Sequence, residues 1–167
     1  MKSKNILTAI LLIMCALCFI QAAYYYPLLP ETVPSHFGAS GRPDAWSSKS
    51  FFVIFYLVIV AVNAILFSSL SFWMSRLPVS LINLPHKEYW LAPERKEKTL
   101  MMLAQYLLLV ASATELLLFD IFHQSFQVAL GRAQDLSHPL ASLALYLSLV
   151  VVVTIRMVIK FSHCTRE

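Results

Sequence analysis

Glycine is nearly missing from this sequence, with three residues in 167, and none of them falls in an apolar stretch. That excludes the glycine loops that cradle phosphates and the Gly-x-Ser-x-Gly elbow of serine hydrolases. It removes Gly-x-x-x-Gly helix packing as well; Ala64 with Ser68 and Ala144 with Ser148 offer small residues at the same spacing. Cysteine is as scarce, and Cys15, Cys18 and Cys164 are placed where no disulfide can form outside a membrane. Cys15 and Cys18 have C-x-x-C spacing but sit in an apolar run without an acid or base nearby, a setting for packing rather than redox chemistry. There is no His-x-x-x-His pair, no paired-carboxylate signature, no internal repeat and no low-complexity tract. No reaction is named by any motif, so a role other than catalysis is the first expectation and an enzyme stays an open alternative.

Charge is thin too. Only 13% of residues are charged and 59% are hydrophobic, against roughly 25% and 45–50% in soluble domains. The apolar excess is concentrated in long runs close to the roughly 20 residues that cross a bilayer as helix. The expected fold is all-α: one polytopic membrane domain over residues 1–167, with four spans at about 6–26, 51–74, 100–121 and 139–161. A basic leader before the first run also fits a secretory signal cleaved after Ala22 or Ala23, but the run is long and ends in the belt Tyr24, Tyr25 and Tyr26, so a retained span is expected.

A pI near 9.1 invites thoughts of nucleic acid. The basic residues flank apolar runs, however, so they report topology and nucleic acid is not an expected partner. With the first residues inside, ten basic residues (Lys2, Lys4, Arg76, Lys87, Arg95, Lys96, Lys98, Arg156, Lys160 and Arg166) fall inside, and Arg42, Lys49 and Arg132 outside. The positive-inside rule then puts both ends of the chain inside. Residues 27–50 and 122–138 become outer loops and 75–99 a basic inner loop.

The loop 27–49, PLLPETVPSHFGASGRPDAWSSK, holds four of the eight prolines and two of the three glycines. Such a segment is punctuated by turns rather than built as a helix or long strand. Phe37 and Trp46 are its apolar anchors, Gly41 to Asp44 suggest a tight turn, and Lys49 stands at the mouth of a span. Folded back over the helix ends, it would direct His36, Trp46 and Lys49 at the bundle and join Asp120, His123 and His138 in one polar site. In the inner loop, Pro93 can open a helix with Glu94 in its first turn, and Tyr89 and Trp90 precede it in an interfacial segment. Within the spans, Asn63 should face a neighbouring helix, and Glu115 is an intramembrane ionisable group.

Two stretches carry a resemblance. Leu29, Pro30, Pro34, His36, Phe37, Gly41, Pro43, Asp44, Trp46, Ser48 and Lys49 resemble the signature of a bacterial membrane family, the domain of unknown function sixteen-forty-eight. Residues 84–99, with Tyr89, Trp90, Leu91, Ala92, Pro93, Glu94 and Arg95, are similar to an inner-loop region of its single-unit members, with Glu88 at a position commonly Asn. The resemblance covers the first two spans and the inner loop. It implies a multi-pass protein of the bacterial cytoplasmic membrane, and the same domain opens SdpI-type immunity and signalling proteins.

Three functional readings follow. In the first, the outer loop binds a peptide, a lipid or an envelope partner through His36, Phe37, Asp44, Trp46 and Lys49, with Asp120 and His123 nearby, while the inner loop meets a cytosolic protein; in the blander form the loop only caps the bundle. In the second, Glu115 and Asn63 serve a transporter or channel subunit, which with four spans would assemble as a homo-oligomer. In the third, the chain is a metal-dependent membrane enzyme in which His36, His123 and His138 hold zinc; no cofactor is otherwise expected.

Overall fold

The computed structural model describes residues 2–163; Cys164 and Arg166 lie outside the described residues. Helix accounts for 76% of the described residues, and four helices among them are long and apolar enough to cross a membrane. Helix α1 is Lys2–Tyr25, α2 Lys49–Trp73, α4 Pro93–Ala129 and α5 Pro139–Ser162, and a single turn, α3, covers Lys87–Trp90. Pro93 and Pro139 each occupy the first turn of their helices, where the missing N–H would have no partner in any case.

Helix α4 is the post of the bundle: α1, α2 and α5 all pack against it. Its 37 residues make a rod of about 55 Å at 1.5 Å per residue, well beyond the roughly 30 Å hydrocarbon thickness. Helix α4 continues through Ala129, deep into the stretch 122–138 expected to be an outer loop. Helix α5 lies along α4 with only Phe161 buried. Ala144 and Ser148 are exposed, so this small pair forms no seam, whereas Ala64 is buried against Leu11, Leu108 and Ala111. Most apolar side chains of α1, α2 and α5 point outward, as suits helices solvated by lipid.

The all-α expectation is corrected at the proline-rich segment. It forms an antiparallel hairpin, β1 Thr32–Phe37 and β2 Pro43–Ser48. Pairing survives the prolines because Pro43 opens its strand and the register breaks on either side of His36, leaving Ser35 without a partner residue. Gly41 takes φ +78° in the connecting turn, and its carbonyl accepts from the amide of Leu136 at 2.9 Å. That bond fastens the hairpin tip to the connection between α4 and α5. At the hairpin base, the Lys49 amide donates to the Glu31 carbonyl at 3.0 Å and the Lys49 ammonium meets the Glu31 carboxylate at 2.8 Å. Ser48 then caps α2, accepting from the Phe51 amide.

The hairpin sits on the bundle through two apolar plugs. Leu29 and Val33 are buried in one cluster with Tyr25, Phe52, Tyr56, Phe122 and Phe126. Tyr25 stacks on Phe126 with centroids 4.8 Å apart, and Tyr56 on Phe122 at 4.0 Å. At the opposite, basic end, Trp90 donates from its indole to the Phe161 carbonyl at 2.8 Å, and Thr99 donates to the Trp90 carbonyl at 2.8 Å. Arg95 lies over the Tyr89 ring at 4.1 Å and donates to the Tyr89 carbonyl. The Tyr89–Arg95 stretch is thus a clamp joining the interhelical connection to α4 and α5.

A Cβ at Gly41 would meet the Leu136 carbonyl oxygen at 3.2 Å, whereas one at Gly131, also at positive φ, would meet nothing within 4 Å. Both Gly→Ala changes carry the left-handed strain of about 1–2 kcal/mol. Only Gly41→Ala should also loosen the hairpin tip, seen as a larger fall in thermal stability and faster amide exchange at Leu136 than in Gly131→Ala.

Candidate functional site

Three polar assemblies are built into this fold. The first is buried between α1, α2 and α4. On α1, Cys18 and Gln21 are three residues apart and share a face; on α2, Tyr56 and Asn63, two turns apart, do the same. The Tyr56 hydroxyl donates to Gln21 Oε1 at 2.8 Å, and Gln21 Nε2 donates to the Phe119 carbonyl at 3.2 Å. Asn63 Nδ2 donates to Glu115 Oε1 at 2.9 Å and lies 3.2 Å from the Ala111 carbonyl. Cys18 Sγ approaches Glu115 Oε2 at 3.8 Å. Glu115 has no exposed surface. Arg156, at the other end of its own helix, is exposed and plays no part. Asn63 and Glu115 thus meet, as intramembrane polar groups must, and Gln21, Tyr56 and Cys18 complete what sequence reading missed. In low-dielectric surroundings an unmet polar group is expensive, and here α4 carbonyls and carboxylate satisfy groups from both neighbouring helices. The arrangement is a clasp holding three helices in register.

The second assembly lies where α4 leaves the bundle beside the hairpin. Gln127 donates to the Tyr25 hydroxyl at 2.8 Å, and His123 Nδ1 stands 3.4 Å from the same oxygen. One turn away Asp120 accepts from Ser142, and from Gln124 at 2.7 Å, while His138 Nε2 is 3.9 Å from its other oxygen. The Gln124 carbonyl oxygen in turn accepts from the His138 amide at 3.0 Å. These bonds fix the start of α5 against α4.

The third assembly is on the hairpin. His36 and Asp44 face each other across the strands with a direct hydrogen bond, and their side chains are 69% and 52% exposed. Trp46 is 58% exposed on β2. Phe37, at the end of β1, is half-buried. Lys49 is the inward-lying member, its side chain only 19% exposed and over the Tyr26 ring at 5.5 Å. The expectation that His36 and Trp46 point at the bundle is therefore corrected: Leu29 and Val33 are the buried residues, whereas the His36 and Trp46 side chains are exposed.

Nor do the polar groups at this end form one site. His36 pairs with Asp44, His123 with Tyr25, and His138 with Asp120. Among the described residues no group of three or more His, Cys, Asp or Glu side chains is placed to hold a metal ion. The zinc reading loses its geometry.

Residues 13–62 match the family described as Domain of unknown function (DUF1648). The matched segment runs from the middle of α1, through the whole hairpin, to the middle of α2; Tyr89 to Arg95 lie outside it. An uncharacterised protein of Archaeoglobus fulgidus is 38% identical over 76 residues, covering 44% of this chain. The match takes in 42% of that relative's length. No solved structure matches the chain.

Glu115→Gln keeps an acceptor for Asn63 and nearly the same volume, so it should cost less than about 1 kcal/mol. Glu115→Ala leaves a cavity and takes from the Asn63 amide one of its two acceptors, a loss of about 3 kcal/mol. Thermal unfolding of both variants in lipid nanodiscs measures the difference.

Proposed function

We propose that this is a peptide-recognition protein of a bacterial cytoplasmic membrane, with the hairpin on the outer side and both ends of the chain inside. The observation that carries the reading is a rigidly seated hairpin whose outward face is not used by the fold. Strand β1 lies against the bundle through Val33 and Pro34, whereas the middle of β2, from Asp44 to Trp46, is exposed. A two-stranded sheet leaves β2 an edge of backbone N–H and C=O groups, which is a template for another strand. Trp46 supplies a large apolar anchor beside that edge, and the His36–Asp44 pair supplies polar contacts.

An extended peptide fits better than a lipid, because only a peptide can use main-chain hydrogen bonds along the edge. Docking through Leu29, Val33 and the Gly41–Leu136 bond reduces the ordering cost of binding. The ten-to-three distribution of basic residues supports the orientation. An immunity or signalling role, implied by the resemblance to SdpI-type proteins, is a setting in which a secreted peptide arrives at this face.

The test is binding of envelope-active peptides to the full chain in nanodiscs, read by calorimetry and by Trp fluorescence. A peptide that binds should lose at least about tenfold in affinity against Trp46→Ser, the scale of a buried aromatic anchor. An analogue of it with methylated backbone nitrogens should bind no better than that variant. Equal binding of the methylated analogue, or indifference to Trp46→Ser, contradicts strand addition.

A further inference from the structure

Between α4 and α5 lies a groove of about 310 Å³ that neither the clasp nor the hairpin uses. That is the lower end of the roughly 300–1,000 Å³ of ligand sites. Leu116 and Leu117 of α4 and Ala141, Leu145 and Leu149 of α5 wall it, and Asp120, His138 and Ser142 stand at one end. Asp120 meets Ser142 and, deeper, Thr114 meets Tyr146, so the helices are antiparallel and the groove runs from a polar mouth into apolar depth. Leu116, Leu145 and Leu149 are exposed, which leaves the groove open to lipid from the side.

The level of the mouth follows from α4. Asp120 stands 22 positions beyond Lys98 on that helix, a rise of about 33 Å, close to the roughly 30 Å hydrocarbon thickness. With Lys98 at one membrane surface, Asp120 is at headgroup level on the hairpin side, and the leucines lie one to two turns below it. The charge follows from Asp120. Its Oδ2 accepts from Ser142 and Gln124. Among the described residues no Lys or Arg is within 4 Å of the carboxylate, and the one basic group there is His138, whose Nε2 is 3.9 Å from Oδ1. The Asp120 and His138 side chains are 36% and 57% exposed, so both are accessible from the mouth. Charge complementarity therefore puts a cation at the mouth and hydrocarbon beneath it. A primary ammonium has N–H donors for Oδ1, whereas Asp120, His138 and Ser142 form no aromatic cage for a quaternary one.

We infer that the groove between α4 and α5 binds phosphatidylethanolamine, with the lipid ammonium on Asp120, its phosphate at the ring N–H of His138 and one acyl chain against Leu116, Leu145 and Leu149. The site stands independently of peptide recognition. Its occupant adds contact between α4 and α5, a helix that buries only Phe161.

The experiment uses the delipidated full chain in detergent, titrated separately with phosphatidylethanolamine, phosphatidylcholine and phosphatidylglycerol of the same acyl chains. Binding is read by native mass spectrometry. Phosphatidylethanolamine should bind on the order of tenfold more tightly than phosphatidylcholine, the scale of one hydrogen bond to a charged group. Asp120→Asn, which keeps an acceptor for Ser142, should bring the two lipids to equal affinity. Ala141→Phe, at an exposed position on the groove wall, leaves Asp120 in place and should weaken phosphatidylethanolamine binding by filling the space for its chain. Equal affinity for the two lipids in the unaltered protein, or a preference that survives Asp120→Asn, overturns the ammonium contact. Phosphatidylglycerol binding as tightly as phosphatidylethanolamine overturns the charge assignment, and indifference to Ala141→Phe overturns the groove.

Discussion

Polar atoms placed among hydrocarbon must find partners within the chain, and α4 supplies most of them. Its carbonyls at Ala111 and Phe119 and its carboxylate at Glu115 accept from Asn63 on α2 and Gln21 on α1. Tyr56 closes the circuit by donating to Gln21. Backbone groups of the spans are satisfied by helix formation itself; the side-chain clasp then decides which faces meet, because apolar surface alone gives little preference between helix and lipid. With α1 and α2 fixed on α4, their hairpin-side ends present Tyr25, Phe52 and Tyr56 to Phe122 and Phe126. That aromatic floor is what Leu29 and Val33 settle on.

The hairpin is consequently part of the bundle and also distinct from it. Its inward face is apolar and buried, its tip is bonded to Leu136 and its base is held by the Lys49–Glu31 pair. Its outward face carries Trp46 and the His36–Asp44 pair, which contribute little to the packing beneath. Such a division is how a rigid element displays side chains to something else. The Domain of unknown function (DUF1648) match spans this element together with the halves of α1 and α2 that seat it. The matched unit is therefore the hairpin with the parts of α1 and α2 beneath it, whereas Phe122 and Phe126 of the floor, the Trp90 clamp and α5 lie beyond it.

Much of the architecture is legible in the sequence because hydrocarbon imposes a crude code. Four long apolar runs yield four long helices, and Pro93 and Pro139 mark two helix starts. Asn63 announces that it needs a partner. What could not be read was pairing at long range. Ser35 is left without a partner between Pro34 and His36, so no unbroken alternation runs through β1, and a proline in each strand hides the strand pattern. Gly41 meets Leu136 from nearly a hundred positions away, and nothing local to either residue foretells it. The polar clasp was half legible: the spacing of Cys18 and Gln21, and of Tyr56 and Asn63, puts each pair on one helical face, a signal available from periodicity alone.

The central claim is that residues 32–48 form an ordered element seated on the bundle, and amide hydrogen exchange on the full chain in lipid nanodiscs tests it most directly. The account predicts slow exchange for the cross-strand amides of the hairpin and for Leu136, lost together in Val33→Asp, which puts a charge into the aromatic floor. Exchange of these amides at the rate of an unstructured peptide in the unaltered protein would contradict it.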